Sequence, residues 1–135
     1  MKSWSEAYMF GIPIIDQQHE KLFTIFDEII KNKDSKKIEI ESLLEDLEQY
    51  VTFHFKEEEK LLKLGEKLLL IKSKDVEEHI EEHNGMLLAV MEWRKMYIAD
   101  DVDIIQTMLD YIRDWLIGHI MISDAKFVPQ WKKFI

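Results

Sequence analysis

The sequence predicts an all-α protein: an up-down-up-down antiparallel four-helix bundle with a non-helical N-terminal arm. Apolar residues recur at i, i+3/i+4 and i+7 in four separate stretches, the period of a helix with one buried face. Short polar links join the stretches, which makes successive helices antiparallel neighbours. Four Gly and two Pro in 135 residues are too few for a turn-rich β-protein.

Residues 1–14 read as an ordered arm, with Trp4, Tyr8, Phe10 and Ile12 available to pack and Gly11 and Pro13 breaking regularity. The first helix is expected from about Asp16, read as its N-cap, to about Lys33, with the stripe Ile15, His19, Leu22/Phe23, Phe26, Ile29/Ile30. Asn32 to Lys37 is a polar turn. The second helix starts near Ile38 and carries Ile40, Leu43/Leu44, Leu47, Tyr50/Val51, His54, Glu58 and Leu61/Leu62 on one face. Lys63 to Ser73 reads as an irregular connection or an extended helix end, broken at Gly65. The third helix runs from about Lys74 to Tyr97 with Val76, His79/Ile80, His83, Met86/Leu87, Val90 and Trp93 inward. Asp100 or Asp101 is expected to cap the fourth, whose stripe is Val102, Ile105, Met108/Leu109, Ile112, Trp115/Leu116, His119 and Ile122. A tail with Phe127, Pro129, Trp131 and Phe134 covers the bundle end or forms an interface.

Composition narrows the function classes. The length suits one domain, 1–135, with one sizeable core. A net charge of −9 argues against nucleic acid or an anionic membrane as the main partner. No apolar run approaches a membrane span, and no signal-peptide core follows the N-terminus. Zero cysteines exclude disulfides, thiolate zinc, iron–sulfur clusters and a cysteine nucleophile. The expected location is cytoplasmic.

All five histidines fall on inward stripes. A lone core histidine is ordinarily just a hydrogen-bonded one. Five of five is hard to produce that way, because histidine is only intermediate in burial. Two acids join them: Glu58, four residues after His54, and Asp124, five after His119. A carboxylate on a core stripe loses its charge or needs a cation. At 1.5 Å per residue, antiparallel helices bring all seven to a common depth at one end of the bundle.

Imidazole and carboxylate without thiolate suit a transition metal better than calcium or magnesium. Seven ligands exceed the four of tetrahedral zinc, whereas two metals sharing bridging carboxylates use them all. Iron is the metal whose chemistry most needs such a pair. His119 and Asp124 lie about 140° apart on a regular α-helix, so a π-type turn, a wide loop or a helix end is expected between them.

Taken in order, Trp4, Gly11, Ile15-Asp16-Gln17-Gln18-His19 with Leu22 and Phe23, His54-Phe55-Lys56-Glu57-Glu58, His79-Ile80-Glu81-Glu82-His83, and Trp115-Leu116-Ile117-Gly118-His119-Ile120 up to Asp124 resemble the hemerythrin family, in particular its bacterial single-domain members. That resemblance implies two iron ions with an oxo or hydroxo bridge and reversible binding of dioxygen, for carriage, storage or delivery. His79, His83 and His119 would hold one iron, His19 and His54 the other, and Glu58 and Asp124 would bridge them. Leu22, Phe55, Trp115 and Met121 would line the dioxygen pocket. The chain departs from the family in its 21-residue step from Glu58 to His79 and in Met121, where a branched aliphatic is usual.

Other readings explain less. Ferritin-like di-iron sites use Glu-x-x-His, and no histidine here has Glu three residues before it. His79-x-x-Glu82-His83 matches an inverzincin protease pattern but leaves three histidines unexplained. Glu81 and Glu82 read as solvated face, and Glu57 and Glu59 as mostly surface. Within the di-iron reading the alternatives are an oxygen- or nitric-oxide-sensing module acting through a protein partner, and a peroxidase or nitric-oxide-consuming enzyme.

Overall fold

The computed structural model describes residues 3–99 and 104–135. Four long helices, α1 (Pro13–Asn32), α2 (Lys37–Lys67), α3 (Ser73–Ile98) and α4 (Ile104–Gly118), form the bundle expected from the sequence. α1 packs on α2 and α4, and α3 packs on the same two. The fourth helix continues as a π-helical segment, His119–Asp124, then a 3₁₀ turn, Ala125–Phe127, and the short α5, Val128–Trp131. Asp100, Asp101 and Val102, expected to begin the fourth helix, lie outside the described residues.

Two apolar clusters fill the interior. One runs through the long helices and includes Leu22, Phe23, Val51, Phe55, Met86, Leu116 and Ile120. The other closes one end with Ile12, Ile15, Leu62, Ile71, Val76, Phe127 and Trp131. On the first three helices inward polar residues sit between the two: His19 between Ile15 and Leu22, Glu58 between Phe55 and Leu62, His79 and His83 between Val76 and Met86. The result is a polar layer capped by apolar side chains above and below. Trp131 is fully buried, so the tail aromatic covers the bundle end.

Three local expectations need correction. Helix α1 begins at Pro13, whose fixed φ suits a first helical position, and Asp16 is not its N-cap. Asp16 instead reaches back to accept the backbone N–H groups of Phe10, Gly11 and Ile12 at 2.8, 3.0 and 3.1 Å, which turns the arm onto the helix. Gly11 makes that turn at φ +76°, where a side chain would be strained. The arm itself is not wholly irregular, since Glu6–Tyr8 forms a 3₁₀ turn whose Tyr8 ring stacks on Phe23. Gly65 is no break either. α2 runs through it to Lys67, and the missing side chain lets Ile71 fold against the helix, because a Cβ there would stand 2.5 Å from Ile71 Cδ1. Its carbonyl accepts the N–H groups of Leu70 and Ile71. The cost of this tight return is Leu69, which sits at φ +61° and is 91% exposed.

Candidate metal centre

Seven ionisable side chains converge in the polar layer, each 6% exposed or less: His19 from α1, His54 and Glu58 from α2, His79 and His83 from α3, and His119 and Asp124 from the π-helical segment. That segment is why the last two meet. A turn closed from i to i+5 brings residue i+5 back beneath residue i, so Asp124 returns to the face of His119. Of the alternatives open at that point, the chain uses the π-type turn.

The seven divide into two overlapping groups, Glu58, His79, His83, His119 and Asp124 on one side, and His19, His54, Glu58 and Asp124 on the other. Each carboxylate offers one oxygen to each group. Glu58 Oε1 lies 2.7 Å from His79 Nε2 and 3.2 Å from His83 Nε2, whereas its Oε2 faces His54 at 3.3 Å and His19 at 3.7 Å. Asp124 Oδ1 lies 2.8 Å from His79 and 3.1 Å from His119, and its Oδ2 is 3.2 Å from His19.

His79 Nε2 is hydrogen-bonded to Glu58 Oε1, but much of the proximity here is not hydrogen bonding. His19 Nε2, Glu58 Oε2 and both oxygens of Asp124 are buried without a hydrogen bond, although the facing atoms are near enough. Unsatisfied groups of this kind cost roughly 1–3 kcal/mol each in a protein interior. His83 and His119 sharpen the point. Their Nδ1 atoms face the carboxylates of Glu59 at 2.8 Å and Glu82 at 3.0 Å, which calls for N–H at those positions. Their Nε2 atoms then carry lone pairs, and they face each other at 3.1 Å. Lone pairs aimed at one point, and carboxylate oxygens without donors, fit cations between them. The donor set of five imidazoles and two shared carboxylates fits a pair of transition-metal ions.

The electrostatics of the protein without metal say the same. Burial disfavours the charged form of His19, but the carboxylates of Asp124 and Glu58 outweigh it and lift the group to about 9. His79 is lifted likewise, against burial, to about 10. His83 is also raised, by Glu58 and Glu59 against burial, while His54 is lowered because burial prevails over Glu58. Burial and the neighbouring Glu58 both oppose ionisation of Asp124, yet His119 and His19 hold it down to about 2. Glu58 is driven well below the usual carboxylate range by four histidines, despite its burial. In the absence of metal, protons stand in for the missing positive charge.

Aromatic rings wall the layer. Phe55 stacks on His83 with centroids 3.9 Å apart, and Trp115 stacks on His119 at 4.3 Å. Phe127 meets His79 edge-on, and Phe10 meets His19 in the same way. Of the four expected pocket residues, Leu22 and Phe55 are buried and Trp115 is half-buried, whereas Met121 is 43% exposed. Met121 follows the inward-facing His119 by two residues, about half a turn, and so points outward. Ile122, expected on the inner stripe, is 75% exposed because the π-type turn carries it past the inner face. The aliphatic side chain buried here is Ile120.

Sequence reading assigned no role to three further residues. Glu59 and Glu82 were expected on the surface, yet they accept from His83 and His119, and Gln18 Oε1 stands 2.7 Å from His54 Nδ1. A signal existed: each is the chain neighbour of a candidate ligand (His19, Glu58 or His83), and a ligating imidazole needs an acceptor for its second nitrogen.

Fold and site together define a helical-bundle protein with a buried, histidine-rich cluster suited to metal binding. Residues 11–131 match the family model for the hemerythrin HHE cation binding domain, and the chain belongs to the hemerythrin family. It is 33% identical to a bacteriohemerythrin of Clostridium acetobutylicum, over 93% of this chain and 97% of that protein. It is 29% identical to a bacteriohemerythrin of Methylococcus capsulatus, covering 96% and 95% of the two chains. A crystal structure of wild-type hemerythrin superimposes with a TM-score of 0.83 at 25% identity, over 95% of each chain. No helix among the described residues is long and apolar enough to cross a membrane.

Proposed function

We propose that this chain, as one hemerythrin-type unit over residues 1–135, binds dioxygen reversibly at a pair of iron ions. His79, His83 and His119 would hold one iron, His19 and His54 the other, with Glu58 and Asp124 bridging. The observation that supports the reading is the split of the two carboxylates: Glu58 Oε1 and Asp124 Oδ1 together face His79, His83 and His119, whereas Glu58 Oε2 and Asp124 Oδ2 face His19 and His54. That split supports unequal coordination, with room for an exogenous ligand beside His19 and His54. When bound, the two irons supply the electrons that dioxygen takes up on binding and returns on release.

The protein's own part is to orient and to exclude water. Glu59 and Glu82 fix the tautomer and tilt of His83 and His119, Gln18 does so for His54, and the stacked rings of Phe55 and Trp115 keep two imidazoles from turning. Leu22, Phe55 and Ile120 surround the layer with apolar surface.

Carriage is favoured over catalysis by the inventory of buried acids and bases. Among the described residues, the buried ionisable groups beyond the seven are Asp16, whose carboxylate is committed to three backbone amides, and Tyr97, near the opposite end of α3 from His79 and His83. An oxygen-activating enzyme needs a group free to move protons. Sensing through a protein partner would use the same binding chemistry, and a cytoplasmic setting fits a chain without cysteine. The experiment that separates them is a cycle of oxygenation and deoxygenation. Recovery of the reduced form without released peroxide supports carriage, and turnover of an added reductant supports an enzyme.

A further inference from the structure

The two halves of the site are supported differently from behind. On the three-histidine side, His83 and His119 each set Nδ1 against a carboxylate, Glu59 and Glu82. Such a partner makes the imidazole a stronger donor. On the two-histidine side, His54 has only the neutral amide of Gln18, and His19 Nδ1 is buried with no hydrogen-bond partner at all. That half therefore has fewer imidazoles, and neither has a carboxylate behind its second nitrogen.

A second observation is independent of the first. A cavity of about 130 Å³ opens in the seam between α1 and α2, lined by Ile14, Ile15 and Leu61 with Gln18, His54 and Glu58. Besides the shared Glu58 it reaches His54 of the two-histidine half; none of His79, His83 or His119 lines it. Glu57 and Lys60 also line it, paired at 3.1 Å with the lysine side chain 76% exposed. The three-histidine half lies behind the stacked rings of Phe55 and Trp115 and the edge of Phe127.

We propose that the His79–His83–His119 half takes the first metal ion and retains it, whereas the His19–His54 half takes the second and exchanges it through the α1–α2 cavity. This rests on the reading of the site as dinuclear. Gln18, Glu59 and Glu82 are positioning residues that set the difference, and Ile14 borders the exchange route.

The test titrates the metal-free chain with cobalt(II), follows the histidine NMR signals and the visible spectrum, and then removes the metal with a chelator. Two equivalents are expected, the second at least about tenfold weaker, with the first shifting the His79, His83 and His119 signals. Chelation is expected in two phases, the His19–His54 ion leaving first. Glu59→Gln with Glu82→Gln should weaken the first ion by about 10–100-fold and leave the second unchanged. Gln18→Glu should tighten the second. Ile14→Trp should slow release of the second ion while both affinities hold. Equal affinities with single-phase release, or first occupancy at His19 and His54, would overturn the proposal. Unchanged release in Ile14→Trp would overturn the route. Saturation at one ion per chain would overturn the dinuclear reading itself, a result distinct from the other three.

Discussion

A carboxylate buried among four imidazoles has its partners chosen for it. Glu58 sits in α2 with one oxygen toward each half of the site, so its substitution, like that of Asp124, touches both halves directly. Glu58→Ala is expected to lower bound iron from two per chain to one or fewer, measured by metal analysis; retained di-iron stoichiometry would contradict its bridging role. This residue was legible in the sequence because a carboxylate on an apolar stripe is anomalous, and so were the five histidines. Glu59 and Glu82 were not. Each lies near the edge of the buried layer, with side chains 19% and 46% exposed, and helical periodicity cannot separate an acid that faces water from one that leans onto a histidine of the next helix. Met121 misled for a related reason: resemblance placed it in the pocket, and the local turn points it out.

At the scale of elements, the decisive piece is the π-helical segment between His119 and Asp124. The need for it was readable from the 140° mismatch, although not its form, because a wide loop would have met the same demand. Inserting one alanine between Ile122 and Ser123 would set Asp124 six residues after His119, a spacing that neither an α- nor a π-type turn closes, and should swing it off the inner face. The expected outcome is a folded, helical chain that binds at most one metal tightly, checked by circular dichroism beside metal analysis. The α2–α3 connection was the least legible element. Its path depends on Ile71 settling against Gly65, a tertiary contact with no local signature. There the exposed Leu69 holds a left-handed φ that costs an L-residue roughly 1–2 kcal/mol. Leu69→Gly should therefore raise the melting temperature of the protein, with a gain of up to about 1 kcal/mol after the entropy lost by glycine. A fall would mean that its side chain makes a contact worth more than the strain.

For the whole molecule, the polar layer ties stability to protons and metal together. In the metal-free chain, His19 and His79 are raised to about 9 and about 10, above the ordinary 6.5. A raised imidazole stabilises fully below its unfolded value and loses that contribution as pH rises through its folded value. Asp124, lowered to about 2 from 3.8, contributes above 3.8 and fails as pH falls toward 2. The metal-free chain should thus be most stable in weak acid and lose stability steadily from pH 7 to 10, followed by thermal melts. Metal reverses the alkaline limb, since ligation needs neutral imidazoles: the loaded protein should hold its stability over that range, and loading at pH 7 should release protons. Parallel pH profiles with and without metal would show that the histidines do not ligate.

All of this serves one claim, that the bundle holds two irons and binds dioxygen between reduced and oxygenated forms without consuming it. The direct measurement is the visible spectrum of the reduced, iron-loaded protein exposed to air and then returned to argon, with iron counted on the same sample. The expected result is two irons per chain and a charge-transfer band that appears with oxygen and disappears on its removal, over repeated cycles. One metal per chain with no such band, or a band that never reverses, would contradict it.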